Sequence, residues 1–483
     1  MAGWRAMKKS QRRIVGIAAL VGAAALLFFN IFEHVLEAPA IQAVPLWAAA
    51  PFVLLLSAIA IVPFIDREWW ERRYPVVALG LGLVVIAYYV LVLGNAARLA
   101  LTFYDYISFI SLIGSLFVVA GGVHFGLRGK AAPWENVLLL GFGALISNVL
   151  GTTGASMLLI RPYLRSNRFR IQGYHVVFFI FIVSNIGGAL TPIGDPPLFL
   201  GFLKGVPFFW VITRAWQAWA LVLGILLALF YVIDRYYFQK ISHKLQAEAS
   251  EHEEVRFGGL HNIWFLIIII GAVFVERPLI LREIIMWSAA LASYFTTKAE
   301  VHSRNDFNFL PLKEVAILFL GIFATMIPAL DWLEHNAPSL GIVTPGQFFW
   351  CTGALSGVLD NAPTYLSFLS AALGLHGGAV DNTAHIHAIL GLTQPALTGL
   401  PNPLQPGALA ITDISWKFVQ AISLGAVFFG AMTYIGNGPN FMVKSIAEQA
   451  HVDCPSFFGY VVKYSIPILI PVFFLVWLLS FSN

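Results

Sequence analysis

Ala189-Leu-Thr-Pro-Ile-Gly-Asp-Pro-Pro-Leu-Phe-Leu200 can be laid on Ala431-Met-Thr-Tyr-Ile-Gly-Asn-Gly-Pro-Asn-Phe-Met442 without a gap. Ala, Thr, Ile, Gly, Pro and Phe coincide, six of the twelve positions, and Asp195 faces Asn437. Both stretches are apolar and broken by Gly and Pro, which interrupt a helix. Such a shared pattern marks an internal repeat. Upstream, Gly143-Ala-Leu-Ile-Ser147-Asn-Val-Leu150 resembles Gly353-Ala-Leu-Ser356-Gly-Val-Leu359 with a one-residue gap. The order is the same in both halves: first this motif, then the broken helix.

The chain around these motifs has 483 residues, of which 59% are hydrophobic and 11% charged. Soluble domains carry about 25% charge, so this chain has too few charges to cover a soluble surface of its size. A net charge of +4, sorted along the chain as described below, leaves no phosphate-binding footprint and excludes nucleic acid as a partner. Cys351 and Cys454 allow at most one disulfide and no thiolate metal cluster. What remains is an all-α polytopic protein whose partner is the lipid bilayer.

A helix needs about 20 apolar residues to cross the hydrocarbon. Unbroken runs of that kind are Ile14–Phe32, Trp47–Phe64, Val76–Asn95, Ile107–Gly126, Phe208–Asp234, Phe257–Val275, Leu279–Thr297, Glu314–Trp332 and Phe457–Ser480. The first follows a basic start, and Ala38 and Ala40 resemble a cleavage site. The run is longer than a usual signal core, so a retained first span is expected. Lys and Arg set the orientation. Of the 29, 22 fall on one side of the resulting topology, whereas Glu33–Leu46 and Asp331–Trp416 contain none. The basic side is read as cytoplasmic, which puts the N-terminus inside and the C-terminus outside, in the inner (cytoplasmic) membrane.

That sorting predicts two re-entrant hairpins. Arg128 and Lys130 share a side with Arg161–Arg170, yet about 30 mostly apolar residues separate them. Gln347–Leu375 behaves likewise on the other face. The predicted organisation is an N-terminal segment with an extra first helix (1–44), a first repeat (45–238, hairpin 133–160, broken helix 174–204), a polar linker (239–256) and a second repeat (257–483, hairpin 347–375, broken helix 413–450). The copies enter from opposite sides. Inverted repeats with interrupted helices at matching places point to a secondary transporter with a midplane site.

Irregular backbone at membrane depth is tolerated where it is buried in protein or lines a wet cavity, so the four breaks are site candidates. The first tip offers Ser147, Asn148 and Thr152, the second Asp360, Asn361 and Thr364. The broken helices offer Thr191 and Asp195, then Thr433 and Asn437. A mid-membrane carboxylate is costly and by default functional. Asp195 and Asp360 are the acids at breaks, whereas Asp105, Asp234, Glu283 and Asp331 fall near span ends and are expected to reach water. His385 and His387 are read as part of a polar loop. Carboxyl, hydroxyl, amide and carbonyl oxygens suit hard cations. One buried carboxylate holds a proton or a metal ion but poorly both, and that competition is the minimal basis of cation/proton exchange. An anion such as citrate meets repulsion from Asp360 unless that acid is neutralised.

The motifs Ser147-Asn-Val-Leu-Gly-Thr-Thr-Gly-Ala-Ser156, Asn185-Ile-Gly-Gly-Ala-Leu-Thr-Pro-Ile-Gly-Asp-Pro-Pro197 and Asp360-Asn-Ala-Pro363 resemble those of the NhaD-type sodium/proton antiporters. These belong to the ion transporter superfamily, which also holds citrate, arsenite and dicarboxylate carriers. The resemblance implies eleven spans in two inverted repeats, a homodimer, sodium and protons as the transported partners, and no cofactor. Carried over by position, it implies a site of Ser147, Asn148, Thr152, Asp195, Asp360, Asn361 and Thr433, with sodium held by Asp360 and Asp195. Dicarboxylate members usually show Ser-Asn-Thr at both tips. Here Val149 replaces the first Thr and Asp360 stands at the second tip, which departs from carboxylate transport. The expected function is exchange of sodium or lithium for protons by alternating access. The alternative is a sodium-coupled carboxylate or oxyanion carrier. An integral membrane enzyme is disfavoured, because the sequence offers no assembled nucleophile–base set or histidine cluster.

Overall fold

The structure, a computed structural model, describes residues 42–126, 132–240, 256–393 and 408–482, with isolated positions between 22 and 27. The expected first span, the basic N-terminal start and most of the linker lie outside these residues. By length and apolar composition, eight helical segments among the described residues suffice to cross a membrane. They are Leu46–Ile65, Arg67–Val92, Ala96–Gly121, Pro133–Ser166, Gly173–Leu190, Phe208–Gln239, Leu310–Leu340 and Phe457–Ser480, with Asn262–Ala272 and Trp416–Met432 as shorter apolar helices. The protein is a helical polytopic membrane protein. Its strands among the described residues are His124–Gly126 and Arg256–Gly258, which pair antiparallel.

Pro133–Ser166 does not run straight. A continuous helix of 34 residues would be about 51 Å long. Yet Asn136, near its start, exchanges side-chain hydrogen bonds with Asn167, just past its end, each 2.9 Å. The chain therefore folds back on itself. The bend is at Gly151, with φ +74° and ψ 155°, a conformation that glycine adopts without the Cβ penalty. Gly143 shows how close the two legs lie, because a Cβ there would stand 3.0 Å from Leu159.

The second hairpin is built from Pro345–Ser356 and Asn361–Leu375. Thr344 caps the first leg in a reciprocal box with Gln347. The rings of Phe348 and Phe368 meet at 6.1 Å, holding the legs side by side. The two hairpins open at opposite ends of the final helical segment, Phe457–Ser480. Gly173, just beyond the open end of the first, lies against Asp453 and Pro455, which precede that segment. Gly346, at the open end of the second, lies against Trp477 and Phe481, at its finish. The segment's 24 residues span about 36 Å.

Three readings of the sequence change. Arg67, Arg72 and Arg73, which the apolar runs Trp47–Phe64 and Val76–Asn95 leave between two spans and so in a loop, lie on the helix Arg67–Ala87 itself. Phe257–Val275 contracts to the helix Asn262–Ala272, because Arg256–Gly258 is taken by the strand pairing. His385 and His387 sit on a short helix, Thr383–Ile389, with His385 buried. Asn382 caps that helix through its side chain, a signal the residue order carries but hydropathy does not.

Asp105, Asp234, Glu283 and Asp331 are likewise not at water: all four are buried. Asp234 accepts bonds from Arg170, from Tyr174 at 2.6 Å and from Asn136 at 3.1 Å, clamping the base of the first hairpin to the helix Phe208–Gln239. Glu283 accepts from Ser108 at 2.6 Å and pairs with Arg282. Asp105, Asp234 and Asp331 meet charged partners distant in sequence, Lys204, Arg170 and Arg98, and Glu283 adds distant Ser108 to its neighbour Arg282; proximity to a span end reveals none of these distant contacts. Cys351 and Cys454 are free thiols.

Candidate functional site

The two aligned stretches adopt the same loop. Each begins with a short 3-10 turn, Ile186–Leu190 and Gly430–Met432. The hydroxyls of Thr191 and Thr433 then accept bonds from the backbone N–H of Gly194 (3.0 Å) and Gly436 (3.1 Å). Each loop closes through two glycines. A Cβ on Gly188 would lie 2.6 Å from Gly194 O, and one on Gly436 would lie 2.7 Å from Gly430 O. The close backbone approach therefore requires glycine in both copies. Asp195 and Asn437 follow with matching extended dihedrals (φ −144° and −153°), each at the start of a new helix with proline in its first turn.

Neither Asp195 nor Asn437 uses its side chain to cap the helix it precedes. Asp195 is 1% exposed and spends its carboxylate elsewhere. Its Oδ1 accepts a bond from the hydroxyl of Thr152 at 2.7 Å and from the amide of Asn437 at 2.9 Å. Its Oδ2 accepts from the amide of Asn361 at 2.6 Å. The three donors come from the first hairpin tip, the second broken helix and the second hairpin tip, so all four breaks meet on one carboxylate. An ionised carboxylate offers about four lone-pair sites; three are used here. Beside it, the Oδ1 of Asn361, also buried, has no hydrogen-bond partner. A cavity of about 40 Å³ reaches Asp195 and is lined by Gly151, Thr152, Thr153 and Leu116 among others. A water needs roughly 10–15 Å³, so the space suits a water or a small ion.

The other expected residues are buried or half-buried around this centre, and most serve to brace it. Ser147 donates to the carbonyls of Gly143 and Val183, each at 2.8 Å. Asn148 donates to Gly187 O at 2.7 Å and accepts from Leu190 N at 2.9 Å, pinning the hairpin to the first broken helix. Thr191 donates to Asn148 O at 2.6 Å. Thr364 donates to Asp360 O at 2.9 Å, and Thr433 holds its own loop. Asp360 is half-buried and caps the second leg of its hairpin, accepting from Ala362 N at 3.0 Å. The direct contact with Asp195 is made by its neighbour Asn361.

Asn185 and Asn440 are more central than their place in the sequence indicates. Asn185 donates to Asn440 Oδ1 at 2.7 Å, and Asn437 donates to Ser184 O at 3.1 Å. These bonds tie the two broken helices together across the centre. Both residues are polar interruptions in apolar runs, which is the available signal; nothing in their spacing shows that they face each other.

Irregular backbone sealed inside a bundle of membrane-length helices, with one carboxylate at its focus, defines a polytopic membrane transporter. Residues 41–481 match the model of the family described as "Putative citrate transport", and the chain belongs to that family. It is similar to an uncharacterized transporter of Mycobacterium tuberculosis (strain ATCC 25618 / H37Rv), 25% identical over 347 residues that cover 67% of this chain and 71% of the relative. It is also similar to a 46 kDa membrane protein of Mycobacterium leprae (strain TN), 23% identical over 337 residues, 67% of this chain and 72% of the relative. Family and names point to a transporter rather than an enzyme.

Proposed function

We propose that the protein exchanges sodium or lithium for protons across the inner membrane by alternating access. Its N-terminus is cytoplasmic and its C-terminus external, it works as a homodimer, and it needs no cofactor. The observation that carries this reading is the setting of Asp195: a buried carboxylate with one lone-pair site left, next to the unpartnered Oδ1 of Asn361. An acceptor pair of this kind is completed by a cation. The same carboxylate takes a proton when the cation leaves, so the two ligands exclude each other. Asp360, next to Asn361 in the chain, supplies a second negative charge, and Thr152, Thr364 and Asn437 contribute further polar groups.

In this reading the two repeats are inverted copies. The hairpins and broken helices are the part that moves, and the braces of Ser147, Asn148 and Thr191 let the first tip travel with its broken helix as one body. The test is dequenching of a pH-sensitive dye in everted vesicles after sodium is added. Sodium-dependent proton movement that persists in Asp195→Asn would remove the proposal.

The family description favours a second reading, a sodium-coupled carrier of citrate or another carboxylate or oxyanion. The cavity of about 40 Å³ is far below the roughly 300 Å³ of a pocket for a larger ligand, so this reading requires a wider state. Uptake of radiolabelled citrate into proteoliposomes separates the two.

A further inference from the structure

A second group of buried charges lies apart from Asp195. Arg98 donates Nε and Nη2 to Asp331 Oδ1 at 3.0 and 2.7 Å and pairs through Nη1 with Asp381. Lys204, at the end of the helix Pro196–Leu203, pairs with Asp105 and with the other oxygen of Asp381. Tyr89 donates its hydroxyl to Asp331 Oδ2 at 2.7 Å. Glu334 lies within one turn of Asp331 on the helix Leu310–Asn336. Its Oε1 accepts from Val380 N at 3.1 Å, next to Asp381. Its Oε2 is buried and has no hydrogen-bond partner, and the residue is 4% exposed.

The charges do not balance. Four acids (Asp105, Asp331, Glu334, Asp381) share two bases, Arg98 and Lys204. Both bases are engaged by the three aspartates, and Glu334 is left with neutral neighbours only, the Val380 N–H and the buried Ser370 hydroxyl. An uncompensated buried carboxylate is far more costly than a neutral buried carboxyl group. A metal ion is a poor remedy. Both oxygens of Asp331 are already committed, so Glu334 would offer a cation one free oxygen and no second free carboxylate. A proton needs only the one free oxygen.

The geometry points to Glu334 as a second proton-binding site, separate from Asp195. It is seated where the first broken helix, through Lys204, and the segment after the second hairpin, through Asp381, meet the helices Ala96–Gly121 and Leu310–Asn336. The charged and titratable groups around it are Arg98 and Asp105 on Ala96–Gly121, Asp331 and His335 on its own helix, Tyr89 on the preceding span, Lys204, and Asp381, His376 and His385 beyond the second hairpin. His335 is bonded to Asp331 O at 3.0 Å, His376 to Ala372 O at 2.8 Å and His385 to Ala379 N at 3.0 Å. The inference goes beyond the exchange reading and does not depend on it.

The test is infrared spectroscopy of the full chain, purified and returned to lipid, at neutral pH. Wild type carries the carbonyl band of a protonated carboxyl group. Glu334→Gln, which keeps the shape and the Val380 contact, loses one carboxyl's share of that band, and Asp195→Asn keeps that share. Unchanged band intensity in a folded Glu334→Gln overturns the site. Wild type grown with carboxyl-labelled glutamate guards against a variant that fails to fold. The label shifts part of the band if a glutamate carries the proton, and a band without any label shift overturns the site with no variant at all. Neither result depends on sodium movement, so failure of the exchange reading and failure of this site remain distinguishable.

Discussion

Asp195 and Asn437 occupy equivalent places in two copies of one loop, and they are bonded to each other, Nδ2 to Oδ1, at 2.9 Å. The repeat has thus placed an acid and its amide counterpart face to face. One copy carries the charge and the other holds it. If both were acids, two buried carboxylates would repel; if both were amides, the centre would have no charge to exchange.

Asp195→Asn is expected to abolish sodium-dependent proton movement in everted vesicles. It also leaves donors from Thr152, Asn361 and Asn437 facing an amide that cannot accept from all three. Each orphaned buried group costs about 1–3 kcal/mol, so a lower melting temperature is expected alongside the lost exchange.

Asn437→Asp places a second carboxylate against Asp195. The variant is expected to be destabilised without sodium and to gain more melting temperature than wild type when sodium is added, because a ligand that binds the folded state stabilises it by mass action. Asn437→Leu should show the reverse, a smaller sodium-dependent shift. Equal shifts in all three proteins would show that this pair does not hold the ion.

Asp360→Asn separates charge from capping. Asn caps a helix about as well as Asp, so the bond from Ala362 N is retained and thermal stability should stay within about 0.5 kcal/mol of wild type. Reduced exchange in this stable variant would assign a role to the charge. Unchanged exchange would leave Asp360 as a cap.

The glycine pairs give an internal control. A Cβ on Gly194 overlaps Gly188 O, and Gly436→Ala meets Gly430 O at 2.7 Å. Each change is expected to cost about 1–3 kcal/mol or more, read as loss of monodisperse protein on size exclusion. A Cβ on Gly438, two residues further on, meets nothing within 4 Å. Gly438→Ala should be neutral or stabilising by about 0.4–1 kcal/mol.

Asp234→Asn tests the clamp at the base of the first hairpin. Removing one partner of a buried ion pair costs about 3–5 kcal/mol, and Arg170 would be left buried beside an amide. A large drop in melting temperature is expected, with the concentration of sodium that gives half-maximal stabilisation unchanged, since the clamp lies at the hairpin base rather than at its tip.

The sequence by itself determined the class and the places where the chain breaks. Low charge and long apolar runs require a lipid environment, because backbone polar groups can be satisfied there only within helices. Gly and Pro clustered with Asn, Ser and Thr inside apolar runs mark where the helices break, whereas the turn at Gly151 and the close approaches of Gly188 to Gly194 and of Gly430 to Gly436 are seen only in the fold. The match of two twelve-residue stretches announced that they share a structure. Only the tertiary fold decided which side chains meet. Residues 152, 195, 361 and 437 come from four separate segments, and their convergence depends on how two hairpins and two loops pack. The same limit applies to Asp105, Asp234, Glu283 and Asp331. Hydropathy records the cost of burying a charge, but not the distant Lys204, Arg170 or Arg98 that offsets it at Asp105, Asp234 and Asp331, nor the Ser108 hydroxyl that reaches Glu283, because pairing energy depends on distance in space and not on separation along the chain.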